Sequence, residues 1–284
     1  MDKPLISIVG AGVMGTGIST LVVGHGLPVV LVDVDEGVLD RARAAITTGL
    51  RHARLTGALP AGCPPAELRT ALSLDDASGA TAVIEAVTEH PDRKREVLAG
   101  ISSLVRPGTP VISNTSGIPI DEMADWVDRP GELIGTHFMN PAYLISMVEV
   151  IRGPRTADGT VESVLGLLAR IGRRAVVVRD APGFVTSRLL HPMINDAAQV
   201  VSAGTATVED VDTLMQGCLG HPTGPLRTAD LIGIDNLVDA LRALHARTGD
   251  ERCRPSELLL DKVRRGELGR KSGRGFYVYS EAQR

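Results

Sequence analysis

Ile8-Val9-Gly10-Ala11-Gly12-Val13-Met14-Gly15 is a G-x-G-x-x-G set directly after an apolar strand and at the opening of a helical pattern. The three glycines have separate duties. Gly10 permits a tight turn, Gly12 lets the backbone approach a pyrophosphate, and Gly15 lets helix and strand pack closely. The helix start at Val13 and Met14 offers N–H groups and the positive end of its dipole to an anion. Glycine-rich turns occur in many α/β proteins, so the glycines alone decide little. Asp33 decides more. It ends the next apolar run, VVLVD, about 20 residues on, where an acid accepts hydrogen bonds from the adenosine ribose hydroxyls. A carboxylate there repels a 2′-phosphate, and Val34 and Asp35 follow it with no arginine to bind one. The expected cofactor is NAD, held by Gly10, Gly12, Val13, Met14, Gly15 and Asp33.

Outward from this loop, short apolar runs alternate with helical patterns, the signature of a parallel sheet covered by helices. The expected strands are Leu5–Val9, Pro28–Val32, Ala82–Ala86, Pro110–Ser113 and Glu132–Thr136, with Met147–Ile151 and Arg174–Arg179 as further candidates. Gly12–His25 and Glu36–Thr56 carry apolar residues at helical spacing, and Leu59–Pro65 is a turn-rich break. After Asp180-Ala181-Pro182-Gly183 the β runs stop until the last residues. Helices are expected over Phe184–Ser202, Val208–Gly217, Ile234–Arg247 and Pro255–Arg265. The fold class is therefore α/β: a Rossmann-type doubly wound sheet over residues 1–181, then a smaller all-α domain over 182–284.

The bulk numbers narrow the function. With 284 residues and 43% hydrophobic content the chain can bury a large core. A formal net charge of −4 argues against nucleic acid, which needs a basic face, and 2% aromatics leave little for base stacking. Cys63, Cys218 and Cys253 form neither a metal-binding spacing nor a disulfide framework, so no metal is expected and a reducing cytoplasm fits. The apolar stretch Leu5–Val23 looks like a signal-peptide core. Its glycines (Gly10, Gly12, Gly15, Gly17 and nearby Gly24) and a basic region reduced to Lys3 argue otherwise. No uninterrupted run of about 18 apolar residues exists, so no membrane span is expected.

An NAD-linked oxidation needs a group that exchanges the hydroxyl proton. Of seven histidines, His25, His52 and His245 sit in helical contexts and read as surface residues, while His191 and His221 precede prolines and read as caps or turns. His137 stands where the strand-like run Leu133–Thr136 ends, with Phe138-Met139-Asn140-Pro141 after it, and a strand end is where α/β enzymes place their chemistry. Twelve residues on, Glu149 lies inside Met147-Val-Glu-Val-Ile151. Buried, it needs a partner such as an imidazole; on an edge strand it points to solvent. His137 could equally be a satisfied core histidine, and spacing alone does not bring the two together. Glu85-Ala-Val-Thr-Glu89-His-Pro-Asp-Arg-Lys94 has the look of a helix N-terminus whose acids complement its dipole. Its position after a strand points it towards the cofactor crevice.

Ser113-Asn114-Thr115-Ser116, Gly135-Thr-His137-Phe-Met-Asn140-Pro141, Met147-Val-Glu149-Val-Ile151, Asp180-Ala-Pro-Gly-Phe184 with Arg188-Leu-Leu190, Gly224-Pro-Leu226 with Asp230-Leu-Ile-Gly233, and Leu268-Gly-Arg-Lys-Ser-Gly273-Arg-Gly-Phe-Tyr277 together resemble the L-3-hydroxyacyl-CoA dehydrogenase family. The resemblance runs in the same order from the first strand to about Tyr279. It implies an NAD-binding Rossmann domain followed by a helical domain that forms a homodimer. It makes His137 the acid–base group, Glu149 its orienting carboxylate, and Ser116 a contact to the substrate oxygen. Asn140 falls in the element near nicotinamide and substrate and is grouped with the catalytic residues. Glu89 and Lys94 fall close to the nicotinamide ribose, and Asn114 is grouped with the cofactor-binding residues.

Three positions depart from the family pattern. Ser187 replaces an asparagine that helps bind the substrate carbonyl, keeping a donor and acceptor but losing the amide fork. Tyr143-Leu-Ile-Ser146-Met147 is closer to relatives that oxidise gulonate or carnitine, and His90 stands where asparagine is usual. The leading substrate is a 3-hydroxyacyl thioester on CoA or acyl-carrier protein. A short polar acyl group on a carrier protein, as in methoxymalonyl-type polyketide extender units, and a free hydroxy acid are the alternatives. A crystallin-like, non-catalytic NAD-binding protein is the reading outside enzymes.

Overall fold

The seven apolar runs all become strands, and an eighth joins them. In the computed structural model, which describes residues 4–281, these are β1 (Ile6–Val9), β2 (Val29–Val32), β3 (Leu68–Ala71), β4 (Ala82–Glu85), β5 (Val111–Asn114), β6 (Leu133–His137), β7 (Met147–Arg152) and β8 (Arg174–Arg179). Lys3 lies outside the described residues. One sheet holds them in the order β3-β2-β1-β4-β5-β6-β7-β8. The first six are parallel in the doubly wound order; β7 runs antiparallel to β6 and β8 parallel to β7. Strands β1, β2, β4 and β5 are buried along their whole length, which is why they read as mainly apolar runs.

The strand missed from sequence is β3. Leu68-Arg69-Thr70-Ala71 is partly exposed at the sheet's edge and carries no apolar run. Its backbone pairs with β2, Val29 opposite Leu68 through Val32 opposite Ala71. Tertiary pairing overrides weak local preference there. At the opposite edge β8 leaves Val176 and Val177 exposed. Glu149 is therefore not on an edge strand: β7 is flanked by both β6 and β8.

Around the sheet lie α1 (Val13–Gly24), α2 (Glu36–Leu55), α3 (Pro91–Leu104), α4 (Ile120–Met123) and α5 (Asp158–Arg170). Asp35 caps α2 by accepting the Val38 N–H at 3.0 Å. Ile18, Leu21 and Val22 of α1 and Val164 and Leu168 of α5 share one core with Ile8, Ile84, Ile112 and Ile134 of the sheet.

The chain divides between Ala181 and Pro182 into two compact units. The second is built from α6 (Thr186–Ser202), α7 (Val208–Leu219), α8 (Pro225–Ile232), α9 (Ile234–Thr248) and α10 (Glu257–Arg264). Its core joins Ile194, Leu226, Leu237, Leu241 and Leu259. Three buried polar side chains hold its connections. Asn195 donates to the carbonyls of Arg252 and Arg254 and accepts the Ser256 N–H, all within 3.0 Å. Asp212 accepts the Leu226 and Arg227 N–H groups at the start of α8 and the Tyr277 hydroxyl. Asp230, 1% exposed, accepts from the Phe276 and Tyr277 N–H groups and the Tyr279 hydroxyl at 2.8, 2.9 and 3.0 Å. Burial and the Asp230 charge push the Tyr279 phenol up to about 12. A Cβ on Gly275 would overlap the Asp230 carboxylate, so the glycines of the C-terminal motif let the tail close onto this acid. His191, read from sequence as a cap or turn, is a buried residue within α6, and Pro192 continues that helix.

Candidate active site

The glycine loop leaves β1 with Gly10 at φ +102°, a conformation that L side chains rarely adopt, and a Cβ there would sit 2.7 Å from the Ala86 carbonyl. A Cβ on Gly15 would overlap the Gly10 carbonyl. Gly12 meets nothing within 4 Å: its open side faces where a ligand would approach. Gly12 caps α1 without a side chain and the first turn has no acid, so the first N–H groups of the helix are left to an anion. Val13 is exposed there, while Met14 packs against the core. A groove of about 820 Å³ runs between α1 and α2, bordered by Gly12, Val13, Ala45 and Gly49 and closed by Asn140 and Tyr143. The Asn140–Pro141 peptide is cis.

Asp33 lies one residue past β2. Its Oδ2 accepts the Ala11 N–H at 2.8 Å, and its Oδ1 the Asp35 N–H at 3.2 Å. The carboxylate is thus fixed against the glycine loop, with lone pairs on both oxygens to receive ribose hydroxyls. These residues fit the adenosine half of NAD. Asp33→Ala is expected to weaken NADH binding about 10–100-fold, the worth of hydrogen bonds to one charged group. Fluorescence titration checks this, and unchanged affinity would remove Asp33 from the cofactor site.

Glu89 and Lys94 are not simply dipole partners of a helix. Lys94 is wholly buried, with its ammonium 2.9 Å from both oxygens of Glu85, 3.1 Å from Glu89 and 3.2 Å from the Asn114 carbonyl. Glu85 is wholly buried too and also accepts from Ser113 Oγ at 2.6 Å and the Val87 N–H at 2.8 Å. Burial pushes the Glu85 carboxyl up, and Lys94 and Ser113 offset this only in part. Burial also works against the Lys94 ammonium, but two carboxylates share it and hold it above the ordinary lysine value. Sequence reading left Glu85 out of the site, although an acid closing an apolar run is itself a signal of a buried partner.

Ser116 lies just past β5, exposed, with its N–H donating to Glu89 Oε1 at 2.9 Å. The register partner of Asn114 across the sheet is Thr136, so Ser116, two residues past β5, and His137, the last residue of β6, lie at neighbouring strand ends. Asn114 is buried, and its side-chain oxygen accepts the Phe138 N–H at 3.2 Å, fixing the backbone next to His137.

His137 and Glu149 are direct register partners on β6 and β7. Nδ1 of His137 lies 3.3 Å from Glu149 Oε2, with the two side chains 12% and 6% exposed. An ionised carboxylate only accepts, so Nδ1 donates and the ring is oriented for proton exchange through Nε2. Glu149→Ala is expected to lower turnover about 10–100-fold through misorientation, with NADH affinity retained. Native turnover in that variant would remove Glu149 from this role.

Two other histidines have local partners of their own. His25 bonds the Leu21 carbonyl through Nδ1 at 2.9 Å and is held below its ordinary value by burial. His245 contacts Glu251 at 3.2 Å. Both are half-buried rather than the surface residues that sequence suggested. Ser187 belongs to the helical unit, 3% exposed in the first turn of α6. Among the described residues no group of three or more His, Cys, Asp or Glu side chains is arranged to hold a metal ion, and no helix is long and apolar enough to cross a membrane.

Comparison with known proteins identifies the family. The family model described as 3-hydroxyacyl-CoA dehydrogenase, NAD binding domain, matches residues 5–181, and that of the C-terminal domain matches residues 183–279. The chain is 39% identical over 275 residues to a probable 3-hydroxybutyryl-CoA dehydrogenase of Deinococcus radiodurans, covering 96% of this chain and 99% of that one. It is 37% identical over 281 residues to the 3-hydroxybutyryl-CoA dehydrogenase of Bradyrhizobium diazoefficiens, covering 98% and 96%. The crystal structure of an (S)-3-hydroxybutyryl-CoA dehydrogenase from Ralstonia eutropha matches 99% of this chain and 100% of its own with a TM-score of 0.89 at 36% identity. The chain belongs to the 3-hydroxyacyl-CoA dehydrogenase family and is an NAD-dependent oxidoreductase.

Proposed function

We propose that this enzyme interconverts a 3-hydroxyacyl thioester and its 3-oxoacyl form, with His137 as the acid–base group and Glu149 as its orienting carboxylate. The observation that carries the reading is the 3.3 Å contact between these two side chains at paired positions of β6 and β7. NAD, held by the Gly10–Gly15 loop and Asp33, supplies the two-electron acceptor for the hydrogen on the carbinol carbon. In the oxidative direction His137 takes the hydroxyl proton, and Glu149 stabilises the imidazolium that results. Ser116 holds the substrate oxygen from the neighbouring strand end, and Asn140 borders the groove beside the glycine loop. The 1–181 unit carries the cofactor, and Ser187 is the substrate-binding residue that the family resemblance implies. A cytoplasmic homodimer through the helical unit fits its exposed Leu189, Leu214, Leu219 and Val278.

A second substrate reading rests on Ser187. With serine in place of an amide fork, a short polar acyl group on a carrier protein, or a free hydroxy acid, is the alternative to an ordinary acyl-CoA. Loss of NADH absorbance with acetoacetyl-CoA, a carrier-bound short acyl group, and oxidised gulonate or carnitine separates the readings. Fast turnover of acetoacetyl-CoA supports the first. Silence there with turnover of a polar acid supports the second. Tight NADH binding with no turnover anywhere defeats both in favour of a non-catalytic role.

A further inference from the structure

The cluster around Lys94 is more heavily built than a single cofactor contact requires. Three charged groups sit together, two of them wholly buried, at a cost of several kcal/mol per ion that only tight mutual contact offsets. Glu85 is tied on every side, to Lys94, Ser113 and the Val87 N–H, so it serves as a fixed anchor. Lys94 is thereby aimed at Oε2 of Glu89, which leaves Oε1 facing the turn after β5. That single oxygen accepts the Thr115 hydroxyl, the Ser116 N–H at 2.9 Å and the Gly117 N–H at 3.1 Å, with Ser116 Oγ at 3.4 Å. Burial disfavours the Glu89 carboxylate, but Lys94 and the turn's donors outweigh it and hold its pKa below the usual value.

We propose that Lys94 is a positioning residue: anchored by Glu85, it fixes the Glu89 carboxylate as the acceptor that holds the Thr115–Gly117 turn, and so Ser116, in place. This rests on the reading of Ser116 as the contact to the substrate oxygen. The connection is continuous and runs from the core to the surface. Glu85 and Lys94 stabilise one orientation of Glu89, and that orientation satisfies two N–H groups and a hydroxyl of a turn otherwise held through Thr115. The Thr115 N–H donates to the Thr136 carbonyl, and its hydroxyl oxygen accepts the Gly117 and Ile118 N–H groups at 3.4 and 3.2 Å. Without Lys94, Glu89 loses its fixed partner and the turn loses its shared acceptor. The effect on chemistry is indirect, through the geometry of Ser116.

The test uses full-length Glu85→Gln/Lys94→Met, which removes both buried charges together so that neither is left unpaired, and Glu89→Gln as a second variant. Amide hydrogen exchange over 112–120 is measured with steady-state kinetics on acetoacetyl-CoA. The expected result is exchange at Ser116 and Gly117 faster by about 10-fold or more, and kcat at saturating NADH lower by about 10–100-fold. Wild-type protection of the turn in a folded variant overturns the proposal. So does an unchanged kcat at saturating NADH, which would make the cluster a cofactor contact alone. If the double variant does not fold, exchange in Glu89→Gln decides in the same way. A wild-type protein silent on acetoacetyl-CoA sinks the substrate reading alone, and the exchange measurement still decides the role of Lys94.

Discussion

Replacing His137 by glutamine should lower turnover by about 10²–10⁴-fold, the range for loss of a general acid–base group, while NADH affinity stays within about threefold. The reason is geometric. Glutamine keeps polarity and much of the volume at the end of β6, but it does not exchange a proton near neutral pH. Glu149 lies 3.3 Å from the present ring and is 6% exposed, so the variant also leaves this carboxylate without the cation that forms during oxidation. Pre-steady-state mixing with NADH and an oxoacyl thioester separates the two effects, because lost proton transfer slows the first turnover itself. A glutamine variant with near-native turnover would end the assignment of His137. A weaker NADH complex at native turnover would instead place the ring in the cofactor site.

The second large effect concerns stability. Asp230→Ala strands the N–H groups of Phe276 and Tyr277 and the hydroxyl of Tyr279 in a site that is now 1% exposed. The expected cost is roughly 3–5 kcal/mol, because several buried donors lose a charged acceptor together. For a unit of about a hundred residues this corresponds to a fall in Tm on the order of 15 °C. Tyr279→Phe removes one of the three bonds and should cost about 1 kcal/mol. Calorimetry of the pair checks the ordering, and an Asp230→Ala protein as stable as Tyr279→Phe would show that the tail is held by other contacts. Gly269 and Gly275 also border Asp230, so the C-terminal glycine motif has a packing role that needs no ligand.

The organisation of the chain was open to sequence because its signals are local. A fully buried parallel strand is an apolar run of four or five residues, and a glycine loop between such a strand and a helix has one economical use. Seven strands, the glycine loop, Asp33 and the break at Ala181-Pro182 follow from such patterns. β3 does not, since half-exposed Leu68–Ala71 becomes a strand only because β2 offers it a ladder. The helix α8 was not anticipated either, because its start is stabilised by Asp212, more than a dozen residues upstream.

The site divides along the same line. Sequence alone determined which residue types were available: a strand-end histidine, an acid inside an apolar run, and an acidic and basic pair at a helix start. Their partners were decided by tertiary structure. The antiparallel register of β6 and β7 sets His137 opposite Glu149, and twelve residues of chain separation carry no information about that register. Packing against β4 buries Lys94 between Glu85 and Glu89 and turns Glu89 towards Ser116, linking three separate stretches of chain. Pairing energies act through space over a few ångströms, whereas sequence patterns report only the neighbours that share a helix face or a strand.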